Sequence, residues 1–237
     1  MAVSPQERRY LLSQLSNLAV RDLNNLLEQA HRLSDVEFAA FVVDAYPRLA
    51  DPYIEMAAQL AASWFEEGNP DQADVPVTAD PLPEAQLQAS ARWALSALNA
   101  PDVEARLSGT LQRSVFDGAR STTVANVERT GSRWMRHARA DACAFCRLMS
   151  NRGAVYRSEK DALGQEKADA QRGNQALGEK YHDHCFCIAV EVFDGASPDI
   201  PAYMDDWDRV YVKARDLANS GDPKQILAAW RQIDGAA

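Results

Sequence analysis

The chain has 237 residues, with 46% apolar and 25% charged residues and a formal net charge of −9 at neutral pH. This composition is typical of a globular protein and excludes a disordered or collagen-like chain. No stretch approaches the roughly 18 consecutive apolar residues that a membrane-spanning helix needs, and the N-terminal residues lack the pattern of a secretory signal. We therefore expect a protein that is made in a cytosol and contacts no membrane.

Positive charge is concentrated in the middle of the chain. Residues 103–157 carry ten arginines and four acidic residues, whereas residues 1–102 and 158–237 have net charges of −9 and −6. Because guanidinium groups bind phosphates and carboxylates in a bidentate manner, this segment predicts contact with DNA or an acidic protein partner. The alternative is that these arginines pair with the acidic N-terminal part of the same chain. The candidate contact residues are Arg120, Arg129, Arg133, Arg136 and Arg139.

Two capping boxes predict a helical hairpin at the start of the chain. In residues 4–7 and again in residues 34–37, a serine precedes a glutamate by three positions, which is the pattern of a helix N-terminus. Pro47 and Pro52 are then expected to kink or break the second helix, because proline lacks a backbone N–H. Asp51 would cap a third helix after this break.

A proline-rich segment follows the predicted hairpin. Residues 67–83 contain four of the eleven prolines and no apolar periodicity, which predicts an extended linker. Helical periodicity returns from Glu84 and again over residues 101–130, with Gly131 as the expected stop.

After Gly131, short segments rich in aromatic and β-branched residues predict three strands, at residues 132–136, 154–157 and 187–193. Two helices then occupy residues 203–233. The fold class is therefore mainly α with a small β element. The predicted domains are an N-terminal helical region (1–66), the linker (67–83), a domain at 84–193 with a metal site at 132–193, and a helical tail (194–237). Five tryptophans are predicted core anchors: Trp64, Trp93, Trp134, Trp207 and Trp230.

All four cysteines lie in two tight pairs. Cys143 and Cys146 form a CxxC motif, while Cys185 and Cys187 follow His182 and His184 closely. Thiolates and imidazoles at these spacings predict a tetrahedral zinc site, because neighbouring ligands can close on one ion. The alternatives are four reduced thiols without a metal, or a disulfide, which a cytosol disfavours.

The identity of the fourth ligand is open at this point. The CxxC pair contributes two ligands, His182 and Cys185 reproduce an HxxC spacing, and Cys187 competes for the remaining position. His184 is then a spare or neighbouring group. A sulfur-rich, closed set leaves no position for a reactive water, so the zinc is expected to be structural.

The order of these motifs resembles the Mu F-like minor head proteins of tailed phages, also called head morphogenesis proteins. The resemblance covers about residues 118–193. The histidine–cysteine motif of the family commonly reads HPxCRC, whereas this chain has HDHCFC. Asp183 and Phe186 therefore depart from the family pattern. The matching residues are Arg120, Trp134, Cys143, Cys146, Gly153, Tyr156, His182, Cys185 and Cys187.

This resemblance implies a structural, non-enzymatic virion protein that assists head assembly, DNA packaging or ejection. Its implied place is the capsid interior near the portal, after assembly in the host cytoplasm. The implied partners are the portal protein, with the major capsid or scaffold protein and packaged DNA as further candidates.

Two other functional classes compete with this hypothesis. A capsid maturation protease is the first alternative, although the chain contains neither an HExxH nor a GxSxG motif. A zinc-containing nucleic-acid-binding protein is the second. An HNH nuclease is disfavoured because no histidine follows His184 to complete its metal-binding finger.

Overall fold

The computed structural model describes residues 2–70, 74–96, 102–151, 181–195 and 200–235. These residues are mainly helical with one two-stranded antiparallel sheet, which confirms the predicted mainly α class with a small β element. Two compact units are present. One comprises Met1–Thr130 and Tyr181–Phe186, and the other comprises Gly131–Lys180 and Cys187–Ala237. None of the described helices combines the length and the apolar character needed to cross a bilayer.

The first unit is built from four helices: α1 (Pro5–Ala30), α2 (Asp35–Gly68), α3 (Glu84–Leu95) and α4 (Val103–Thr130). Helix α2 packs against each of the other three, and α1 and α3 also contact α4. Both predicted capping boxes are confirmed. The Ser4 N–H donates to the Glu7 carboxylate at 3.0 Å, and the Ser34 N–H donates to the Glu37 carboxylate at 3.1 Å.

The predicted break of the second helix is wrong. Helix α2 continues from Asp35 to Gly68 with Pro47 and Pro52 inside it, so no separate helix begins at Asp51. Each internal proline costs roughly 3 kcal/mol of helix stability. Helix α2 has packing partners in α1, α3 and α4, and burial of its apolar face outweighs this cost because tertiary packing supplies most helical stability in proteins.

The described part of the predicted linker lies along α4. Asn126 pairs with the backbone of Val77, accepting its N–H at 3.0 Å and donating to its carbonyl at 2.7 Å. The Ala79 N–H donates to Thr122 Oγ1 at 3.0 Å. Residues 74–83 therefore have no regular secondary structure, as predicted, but polar side chains of α4 satisfy part of their backbone.

Helices α2 and α4 approach closely at Gly118. A Cβ placed there would lie 2.5 Å from the Ile54 carbonyl oxygen and 3.0 Å from Ile54 Cγ2. The neighbouring atom is backbone, so it cannot move aside without shifting α2. The absence of a side chain at Gly118 is therefore a packing requirement.

We expect Gly118→Ala to destabilise the chain by about 1–3 kcal/mol, the cost of overpacking a core. In an exposed helix the same change stabilises by roughly 1 kcal/mol, so the sign itself is diagnostic. Urea denaturation followed by far-UV circular dichroism measures the effect. Gly221→Ala is the control, since a Cβ there meets nothing within 4 Å. Equal stability of the two variants would contradict the close approach.

The second unit contains the sheet, formed by β1 (Arg133–His137) and β2 (Ile188–Val192). The strands are antiparallel, with Arg133 opposite Val192 and His137 opposite Ile188. Two of the three predicted strands are thereby confirmed. The third, at residues 154–157, lies outside the described residues.

Three helices complete the described part of the second unit: α5 (Ala144–Ser150), α6 (Tyr203–Ala218) and α7 (Pro223–Gly235). The predicted division of the tail into two helices is confirmed, and α6 packs on α7. Helix α5 was not predicted, and it contacts β1, α6 and α7. Its Arg147 forms an ion pair with Asp234 and lies 5.7 Å from the centre of the Trp230 ring.

Candidate metal centre

The CxxC pair lies at the start of α5. Cys143 is the N-cap residue and is exposed, whereas Cys146 lies in the first turn and is buried. The helical turn accounts for the spacing, because residues three apart lie on the same face of a helix. No disulfide bond joins any of the four cysteines.

The second set of ligands lies in a tight turn at residues 182–187. The Cys185 N–H donates to the His182 carbonyl at 3.1 Å, and His184 adopts a left-handed backbone conformation with φ of 60°. Cys185 and Cys187 are buried, while His182 is exposed. This hydrogen bond closes the turn and brings His182 and Cys185 close together.

Two groups of side chains have donor atoms within 4.8 Å of one another: Cys143, Cys146 and His182, and Cys146, Cys185 and Cys187. Two sulfurs bound to one zinc lie roughly 3.7 Å apart, given tetrahedral geometry and Zn–S bonds of about 2.3 Å. The donors are thus close enough to hold a metal ion, and they include all five predicted ligands. His184 belongs to neither group.

Helix α4 holds the ligand turn through the carbonyl of Cys185. Arg120 donates to this oxygen at 2.7 Å, and Gln112 donates to it at 2.9 Å. Arg120 also pairs with Asp117 at 2.7 Å, and its guanidinium lies 3.7 Å from the centre of the Tyr181 ring. The two donors fix the peptide plane that follows a candidate ligand.

Further along the turn, two side chains bind partners on α4. The Asp183 carboxylate forms an ion pair with Arg113 at 2.8 Å. The Phe186 ring meets Phe116 edge to face, with 5.6 Å between ring centres. The two residues that depart from the HPxCRC pattern therefore each have a complementary partner on the same helix.

A glycine on α4 makes room for His184. A Cβ at Gly109 would lie 2.7 Å from His184 Nε2 and 3.1 Å from Asp183 Cβ. The imidazole thus packs directly on the helix backbone. This contact explains why His184 stays apart from the candidate ligands.

Arg120 is a buried cation, with 3% of its surface exposed. Burial alone would lower its pKa, but electrostatic interactions with Asp117, Cys185 and Tyr181 outweigh this and raise the pKa of the guanidinium. Arg120 therefore stays charged and compensates negative charge beside the ligand turn.

The five candidate contact arginines differ in accessibility. Arg120 and Arg136 are buried, with exposed fractions of 3% and 0%, so their side chains are not presented to a partner. Arg120 is occupied by Asp117 and the Cys185 carbonyl, and Arg136 donates to the Cys146 sulfur at 3.7 Å. Arg129 is exposed, and Arg133 and Arg139 are partly exposed; contact of these three with a partner stays a prediction.

The described acidic partners of the basic segment lie both near it and far from it in the sequence. One described partner, Asp102, lies within residues 1–102 and binds Arg106 at 2.7 Å. The other described ion pairs of this segment join arginines to acids from residue 117 onward: Arg113–Asp183, Arg120–Asp117, Arg133–Asp194, Arg139–Asp141 and Arg147–Asp234. These five pairs do not involve the acidic N-terminal part, with which the alternative predicted pairing.

A family model, described as VG15 protein, matches residues 4–214 of the chain. The match includes α1 to α5, most of α6 and every candidate ligand. The chain belongs to the VG15 protein family. Membership of the VG15 family suggests a phage protein, in agreement with the resemblance noted in the sequence, whereas the narrower Mu F-like assignment stays a prediction. No curated protein and no solved structure shows significant similarity to this VG15 protein.

Sequence reasoning did not find the residues of α4 that hold the ligand turn in this VG15 protein. The missed residues are Gly109, Gln112, Arg113, Phe116 and Asp117. Their spacing was the available signal, because with Arg120 they recur at intervals of three and four and share one helix face. Polar side chains on the buried part of a helix need partners, and here the ligand turn supplies them.

Proposed function

We propose that this protein is a non-enzymatic minor head component of a tailed phage, associated with the portal and stabilised by structural zinc. The family match supports a phage protein. The order of motifs in residues 118–193 supports the narrower Mu F-like role. Assistance in head assembly, DNA packaging or ejection is the function that this role implies.

One observation carries the metal part of the proposal. Cys146 belongs to both groups of donors within 4.8 Å, so the two groups converge on one buried thiol. Cysteine sulfur and histidine nitrogen are the ligands that structural zinc prefers. Four of the five donors would hold the ion, with Cys146 among them. Bound zinc would crosslink chain segments that are distant in sequence, which stabilises the fold rather than supplying a reaction.

Binding to the portal or to DNA is proposed for the accessible arginines. Arg129, Arg133 and Arg139 expose part of their side chains, and the ion pairs of Arg133 with Asp194 and of Arg139 with Asp141 lie at the surface. Exposed ion pairs contribute little stability, so these side chains can exchange their intramolecular partners for an acidic or phosphate surface. Such contacts weaken as salt screens them.

The test combines metal content with partner capture. We expect the reduced, purified chain to contain one zinc by mass spectrometry and to be retained by the cognate portal protein at low salt. Arg129→Glu with Arg139→Glu should reduce retention at least tenfold. Arg48→Glu is the control, because Arg48 is exposed but lies outside the basic segment.

Different results would reject different parts of the proposal. A chain without metal would reject the zinc site. Failure to bind portal at any salt concentration would reject the portal association. Cleavage of scaffold or capsid protein by the purified chain would replace the structural role by that of a maturation protease, provided that heat inactivation of the chain abolishes the cleavage.

A further inference from the structure

One face of α4 contacts the ligand turn over residues 109–120. Five residues of this face contact residues 181–186, a sixth binds one of these five, and all six recur at the spacing of successive helical turns. They are Gly109, Gln112, Arg113, Phe116, Asp117 and Arg120, with Asp117 acting through Arg120. At 1.5 Å per residue, the face extends about 16 Å.

These contacts act on the backbone as well as on side chains. The Cys185 carbonyl accepts two hydrogen bonds from buried donors, at 2.7 Å and 2.9 Å. Its peptide plane joins Cys185 to Phe186 and so directs the chain toward Cys187. Two convergent donors leave this plane little freedom to rotate.

We propose that Arg120 and Gln112 are positioning residues for the metal, which set the geometry of Cys185 and Cys187 by holding the Cys185 carbonyl. This inference rests on the proposed zinc site. Outer partners of metal ligands typically change metal affinity by 10- to 100-fold when they are removed, because an unheld ligand must be ordered on binding. Neither residue belongs to a donor group, and both act through the Cys185 carbonyl.

Two variants remove the contacts in different ways. Gln112→Met keeps a similar volume and deletes one donor without changing charge. Arg120→Lys keeps the charge near Asp117 but lacks the planar group that reaches Asp117 and the Cys185 carbonyl together. Arg106→Lys is the matched control on the same helix, because Arg106 binds Asp102 and lies over the Trp93 ring.

The experiment measures zinc affinity by competition with a chromophoric chelator and records the absorption of the cobalt-substituted full-length chain. We expect Gln112→Met and Arg120→Lys to lower zinc affinity at least tenfold and to shift the cobalt d–d bands. Stoichiometry should stay at one ion per chain, and Arg106→Lys should match wild type in both readouts. The cobalt bands report ligand geometry, which a loss of stability alone does not alter.

Affinities within twofold of wild type and unchanged cobalt spectra in both variants would overturn the inference while leaving the zinc site in place. If Arg120→Lys does not fold, Gln112→Met decides the outcome alone. A wild-type chain that binds neither zinc nor cobalt would overturn the inference together with the zinc site.

Discussion

Withdrawal of zinc by a chelator is expected to lower the unfolding free energy of this protein by about 4 kcal/mol or more, when free zinc initially exceeds the dissociation constant by 1,000-fold. The reason is that the ligand set exists in the folded chain and not in the unfolded one, so binding free energy becomes folding free energy. Cys146→Ser should reproduce the effect, because this buried thiol belongs to both groups of donors.

Differential scanning calorimetry with and without chelator measures this loss. The variant supplies the control, since a chain that already lacks zinc should not respond to the chelator. A chelator-induced shift of equal size in wild type and Cys146→Ser would show that the chelator acts elsewhere. Identical melting temperatures of wild type and Cys146→Ser, at full metal content, would contradict the ligand role of Cys146.

Trp230→Ala is expected to destabilise the chain by about 3–5 kcal/mol, as large-to-small changes of buried aromatic residues do. Trp230 on α7 is fully buried, with 0% of its surface exposed, and Arg147 lies over its ring. Trp93→Ala is the matched comparison, because Trp93 on α3 is 48% exposed and its main aromatic contact is with Arg106 at 5.5 Å. We expect Trp93→Ala to lower the unfolding free energy by less than about 1 kcal/mol.

Chemical denaturation followed by far-UV circular dichroism compares the two tryptophan variants. Since the chain has two compact units, each transition is fitted separately if the curve shows more than one. If Trp230→Ala and Trp93→Ala lower the unfolding free energy equally, the exposure of a tryptophan does not determine its contribution to stability.

Features governed by neighbouring residues were predictable from the sequence. The capping boxes at Ser4 and Ser34 formed as expected, since each depends on a serine and a glutamate three positions apart. Gly131, with φ of 68°, ends α4 as predicted. The candidate metal ligands were found for the same reason, because short spacings between cysteines and histidines restrict the geometry before any tertiary contact forms.

Features that depend on contacts between distant segments could not be predicted from patterns of neighbouring residues. Helix α2 continues through Pro47 and Pro52 because three helices pack along it, and only the fold reveals those partners. Trp93 was predicted to anchor the core but lies half-exposed, whereas the other four tryptophans are buried. The residue type alone does not show which face of a helix will be buried.

Arg120 illustrates the same division. Its charge and its place in a basic segment are visible in the sequence and predict a surface contact. The tertiary structure instead buries Arg120 and brings to it the Cys185 carbonyl, although Cys185 is 65 residues away along the chain. The residue types and spacings determined which groups could bind a metal. The packing of α4 against residues 181–186 decided how these groups are held, because long-range hydrogen bonds and ion pairs form only once the chain has folded.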